Sequence, residues 1–168
     1  VSVSSFTWCF TLMFAYVFSF LGSANPLTSR KILACAGIFG ILLSLGATIG
    51  TAALLDLRFL PVDAALPFVA MGISVDEIFV VYGAVTGAVS KRELDAKYVR
   101  GMTHAVPTIL ATTATSFFAF TLGYLYSPVP MISSFCIFAS FNVVYNMAVQ
   151  LTFFAAACYL DEVRLIPT

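Results

Sequence analysis

Charge is scarce in this chain: Asp, Glu, Lys and Arg together make up only 10% of it. A soluble domain carries roughly a quarter charged residues, so an ordinary water-facing surface is excluded. The formal net charge is zero, which leaves no basic footprint for a nucleic acid. Histidine occurs once, as His104. No nucleophile elbow, phosphate loop or paired-acid cleft of a soluble domain is present, and the Ser/Thr-rich stretch after His104 has no histidine base at helical reach. Enzyme catalysis is therefore not expected. Cys9, Cys35, Cys136 and Cys158 all lie inside apolar runs without zinc-ligand spacing. They read as small buried hydrophobes rather than disulfide partners or metal ligands. The chain starts at Val1 within an apolar stretch, without a charged n-region or a small-residue cleavage site. It reads as a piece of a longer protein and not as one opening with a signal peptide.

What the chain has is apolar length. Hydrophobic residues account for 61% of it, in five segments at about 3–21, 32–55, 64–85, 104–126 and 131–160. A membrane-spanning helix needs about 20 apolar residues at roughly 1.5 Å rise each. Spans of this kind must be helical, because open strands would leave backbone groups unpaired in lipid. The expected fold is all-α: a polytopic transmembrane bundle of five spans, one domain over 1–168. The fifth segment exceeds the hydrocarbon thickness and is expected to tilt or protrude.

Charge orients the set. Arg30, Lys31, Lys91, Arg92, Lys97, Arg100 and Arg164 fall on one side of the spans, and only Arg58 on the other. The positive-inside rule then gives an external or lumenal N-terminal end and a cytosolic C-terminal end, in the plasma membrane or an endomembrane. The stretch from Ala88 to Arg100 reads as a short amphipathic helix on the cytosolic face, or else as a solvated linker. Ala36, Gly40, Ser44 and Thr48 recur every four residues, with Gly46 and Gly50 as a further small pair. Such spacing lets helices approach closely. Pro67 and Pro107 are expected in the first turns of their spans, where a missing N–H does least harm.

Within the third segment stand Asp76 and Glu77, side by side. One acid at the centre of an inserted helix costs roughly 2.5–3.5 kcal/mol on the insertion scale. Adjacent residues lie about 100° apart around a helix, so the two carboxyls point different ways. Gly72, one turn before Asp76, leaves space beside it. No Lys or Arg lies at that depth within the five segments. The neutralising agent is then a proton, a metal cation such as Na⁺, water, or a helix outside this chain. A low-dielectric site favours the neutral carboxyl, which suits loading and release of a proton. The plainer alternative is a protonated acid that holds helices together by hydrogen bonds.

Thr108, Thr112, Thr115 and Ser116 share a face of the fourth segment, and Asn142, Asn146 and Gln150 step by four along the fifth. These stripes either line one polar interior with the acids or make separate interhelical hydrogen bonds of about 0.6 kcal/mol each. His104 reads as an interfacial anchor. Phe135, Phe138, Phe141, Phe153 and Phe154 crowd the fifth segment and face lipid, core or a flat hydrophobic ligand.

The run GISVDEIF resembles the acidic helix of eukaryotic resistance–nodulation–division permeases, the family of Patched, Patched-domain-containing proteins and Niemann–Pick type C transporters. The likeness extends through FLPVDAALPFVAMGISVDEIFVV and ATTATSFFAFTLGYLYSPVP. In ISSFCIFASFNVVYNMAVQLTFFAAACYLDEVR it is similar to the end of a sterol-sensing domain. The resemblance covers the whole chain. It implies the second to sixth spans of a permease built from two similar halves, and transport of a sterol or other lipid coupled to a cation gradient. Asp76 matches the family's first acid, and Glu77 stands where Patched-like members commonly carry a second Asp. A second transmembrane half and external domains are the implied partners, beside the bilayer and the lipid ligand. Beyond H⁺ or Na⁺ and a bound sterol, no cofactor is implied. A regulatory module that binds a sterol without transporting it is the alternative.

Overall fold

The computed structural model describes Thr11, Ala15 and residues 31–85 and 91–165. The expected first span, 3–21, therefore lies outside the described residues apart from Thr11 and Ala15. Helix α1 covers Lys31–Leu54, and a short 3-10 turn covers Pro61–Ala65. Helices α2, Leu66–Val85, and α3, Lys91–Tyr126, follow. The chain then runs through α4, Pro130–Val149, a π turn, Gln150–Phe154, and α5, Ala155–Leu165, without a break. Four helical stretches among the described residues are long and apolar enough to cross a membrane: Cys35–Leu54, Pro61–Ala84, Glu93–Tyr126 and Pro130–Arg164.

The terminal signals follow local chemistry. Asp56 adopts a left-handed φ of 51° just past α1, a conformation that short polar side chains tolerate. Leu57 N–H then bonds Ala52 O at 3.0 Å and Asp56 N–H bonds Ala53 O at 3.3 Å, which satisfies the orphan carbonyls of the last turn. Pro67 is the second residue of α2, where its absent N–H leaves no gap.

Two sequence expectations change. Residues 91–100 do not form a separate surface helix; they are the first turns of a 36-residue α3. Good helix formers fill KRELDAKYVR, and a single glycine, Gly101, is too weak a breaker to end the helix. Pro107 consequently sits inside α3, not at its first turn. Its ring deprives the Thr103 carbonyl of the usual helical donor.

Helix α4 packs against α1, α2 and α3. Ile78 and Val81 of α2, Ile109 of α3, Phe138 and Val143 of α4 and Phe154 of the π turn are all buried in this junction. Phe39, Leu42 and Leu43 of α1 and Phe118, Leu122 and Leu125 of α3 face outward. An apolar exterior of this kind is what hydrocarbon solvates well. The small-residue face of α1 is partly used. A Cβ on Gly37 would meet Ile78 Cδ1 at 2.9 Å, and one on Gly40 would meet Val149 Cγ1 at 3.2 Å. Gly46 and Gly50 are exposed, with nothing within 4 Å of an added Cβ. That pair therefore makes no close helix contact among the described residues.

Candidate functional site

Asp76 and Glu77 part company at the middle of α2. Glu77 turns into the bundle and is only 5% exposed. Asp76, about 100° further round, is exposed on the side of α3. Two neutral donors reach Glu77. Asn146 Nδ2 on α4 donates to Oε2 at 2.7 Å, and Thr113 Oγ1 on α3 donates to Oε1 at 3.4 Å. Ser74 Oγ bonds both Asn146 Oδ1, at 2.6 Å, and its own helix at Ala70 O, at 2.7 Å. Gln150 Nε2 adds a contact to Ser74 O at 3.4 Å, while its Oε1 is buried with no hydrogen-bond partner. Glu77 is thus tied to α3 and α4 without a cation among these partners.

Asp76 opens on a hollow of about 170 Å³ between α2 and α3. Glu77, Ile73 and Val80 line it from α2, and Thr108, Ile109, Thr112 and Ser116 from α3. A space of that size holds several waters, and its hydroxyls and carboxyls supply the polar partners that water needs. The arrangement places one exposed carboxyl at a polar-lined hollow and its neighbour inside a neutral hydrogen-bond network.

The other sequence-selected residues divide. Asn146 joins the carboxyl network, whereas Asn142 bonds Thr48 on α1, Nδ2 to Oγ1 at 3.2 Å. Thr112 and Ser116 line the hollow. Thr115 is exposed, turns its hydroxyl back to Thr112 O at 2.8 Å, and takes no part. Gly72 is half-buried on α2. His104, inside α3, lies outside the network and lines a separate hollow. Sequence reasoning missed Thr113 and Ser74. Ser74 was detectable, since it precedes Glu77 by three residues and so shares its helix face. Thr113 was hidden, because it lies off the hydroxyl stripe that looked like the polar face.

A second hollow, of about 380 Å³, lies near the α3–α4 corner. Leu57, Leu60, Ile137 and Phe138 give it apolar walls, with Arg58, Ser133 and Ser134 at its polar side. Phe59 packs edge-on against Phe138, ring centres 5.8 Å apart, and stiffens that wall.

Residues 26–166 match the family described as the sterol-sensing domain of SREBP cleavage-activation. The Niemann-Pick type C1-related protein of Toxoplasma gondii is 31% identical over 151 residues, which cover 88% of this chain and 13% of that protein. Protein patched of Drosophila melanogaster is 31% identical over 155 residues, covering 90% of this chain and 11% of that protein. The NPC intracellular cholesterol transporter 1 homolog 1b of Drosophila melanogaster is 26% identical over 179 residues, 98% of this chain and 14% of its own length. The chain thus spans a small part of each of these relatives.

Proposed function

The chain belongs to the sterol-sensing domain family, and from that premise we propose that it is the membrane domain of a cation-coupled sterol or lipid transporter, with Asp76 and Glu77 as the coupling site. As a multi-pass membrane chain it would be one half of a permease core of the resistance–nodulation–division type. The second half and the external domains lie elsewhere in the full-length protein. The basic ends of its helices face the cytosol.

One observation carries this reading. Glu77 is buried and bonded to two neighbouring helices, while the adjacent Asp76 opens on a hydroxyl-lined hollow. A proton or Na⁺ arriving at Asp76 changes the local charge beside Glu77. That change alters how strongly Asn146 and Thr113 hold Glu77, and hence which packing of α2 against α3 and α4 is preferred. A bias of a few kcal/mol suffices to shift a two-state equilibrium. A structural acid would need no such hollow.

The test uses the full-length protein in proteoliposomes with an imposed H⁺ or Na⁺ gradient. Asp76→Asn keeps the shape and removes the charge. Loss of gradient-dependent sterol movement with an unchanged melting temperature supports coupling, and unchanged movement ends it.

The hollow at the α3–α4 corner favours a second reading. Its volume of about 380 Å³ lies in the range of small-molecule sites. Its apolar walls suit a flat sterol, and Ser133 and Ser134 suit that sterol's hydroxyl. A regulatory module would use this hollow alone. Sterol-dependent partner association that survives Asp76→Asn but is lost on Ile137→Trp, which fills the hollow and leaves the Asp63–Ser134 bond in place, would identify the sensor.

A further inference from the structure

At the opposite end of α2 and α3 from the sterol-sized hollow lies another, of about 480 Å³. Val80 and Ala84 of α2 and Ala105 of α3 form its apolar part. Lys97, Arg100 and His104 stand over it, spaced three and four residues apart and therefore on one face of α3. Among the described residues that line it there is no carboxylate, and Lys97 has an interaction partner of its own. A neighbouring hollow shares Lys97 and Arg100 and adds Glu93 and Ala96.

We infer that this hollow binds the phosphate headgroup of an anionic phospholipid, with the start of an acyl chain laid along Val80, Ala84 and Ala105. Three features converge on that ligand. A guanidinium and an ammonium together match phosphate oxygens better than either does alone. Apolar residues lie directly beneath the cations, as an amphipathic ligand requires. Their position at the end of two membrane-spanning helices puts the site at headgroup depth, where anionic lipids of the cytosolic leaflet reside.

A simpler explanation gives Lys97 and Arg100 only the task of complementing the carboxyl end of the α2 dipole. That task requires charge beside the last turn of α2. It requires neither a hollow nor the third member, His104, one turn deeper. The hollow also shares Val80 and Thr108 with the one around Asp76. A lipid seated here would close that end of the groove leading to the acids.

The experiment takes the full-length protein into nanodiscs of phosphatidylcholine with a minor share of phosphatidylserine or a phosphoinositide, and counts retained lipids by native mass spectrometry. Wild-type protein should retain the anionic lipid over phosphatidylcholine, and Lys97→Gln/Arg100→Gln should reduce that retention about tenfold or more. Arg164→Gln, at an exposed cation of the same end, should leave it unchanged. Equal retention in the double variant overturns the inference, as does an equal loss with Arg164→Gln, which would mean a diffuse surface potential. Displacement of the lipid by inorganic phosphate or soluble inositol phosphate also overturns it, in favour of a free-phosphate site. Should the double variant unfold, the charge-keeping Lys97→Arg/Arg100→Lys pair decides: it must retain the lipid.

Discussion

Asn146 Nδ2 donates to Glu77 Oε2 at 2.7 Å while Asn146 Oδ1 accepts from Ser74 Oγ at 2.6 Å. One amide therefore bridges two residues three apart on α2, donating to the carboxyl and accepting from the hydroxyl. This ties α4 to α2. Asn146→Ala leaves the buried Glu77 Oε2 without its donor, while the Ser74 hydroxyl keeps Ala70 O, at about 1–3 kcal/mol for the one unsatisfied group. Thermal unfolding of the purified full-length protein should show the loss. Glu77→Gln, which keeps the shape and a carbonyl acceptor for Asn146, should cost less than Glu77→Ala. A melting temperature unmoved by Asn146→Ala would mean that the amide does not hold the helices.

Gly101 of α3 packs directly against the backbone of Ala84 on α2. A Cβ there would run into the backbone carbonyl of Ala84, which a rotamer change cannot relieve. Gly101→Ala is expected to destabilise by about 1–3 kcal/mol through overpacking and to spread the end of α2 from α3. Gly46→Ala and Gly50→Ala meet nothing within 4 Å. They should be neutral, or stabilising by about 0.5–1 kcal/mol through helix propensity. Parallel melting curves of the three variants check both signs at once. Equal effects would remove the distinction between a packed glycine and an exposed one.

These glycines also show how far the sequence reaches. Periodicity found the apolar helices, because a membrane demands a minimum length whatever the neighbours are. It also found the acids, since charge at mid-span has few uses. It could not say which small residues meet a partner: Gly40 and Gly46 look alike in sequence, and only the crossing of α1 with the π turn separates them. Nor could it choose Thr113 over Thr115, because on a helix hydroxylated on several sides the neighbouring helix decides which hydroxyl is buried. The unbroken α3 escaped for a different reason. A polar helix and a polar linker share a composition, and the only clue, the absence of a strong breaker between Arg100 and His104, is a negative one.

Asp63 anchors the start of α2. It is 1% exposed, and its Oδ2 accepts from Leu60 N–H at 2.7 Å and from Ser134 Oγ at 2.8 Å. The carboxyl thus closes the turn into α2 and ties it to the first turns of α4, at the helix end where negative charge is favoured. Asp63→Ala should cost about 1–3 kcal/mol. Asp63→Asn keeps an acceptor and should cost less. Calorimetry or dye-based melting of both variants would test the order, and a larger loss for Asn than for Ala would contradict it.

Thr112 and Thr115 give the sharpest check on the hollow beside Asp76. Both are exposed in this chain, yet Thr112 lines the hollow and Thr115 does not. In the full-length protein the two should meet different solvents: Thr112 a wetted groove, Thr115 lipid or an apolar neighbour. A thiol reacts with a polar methanethiosulfonate only as its thiolate, and low dielectric suppresses that form. Thr112→Cys should therefore label about tenfold or more faster than Thr115→Cys, measured in membranes as the increment over the parent protein with Cys35→Ser. Comparable rates would mean both positions see the same medium. The carboxyls would then have no sheltered water of their own, and ion access from this groove to Asp76 would have to be abandoned.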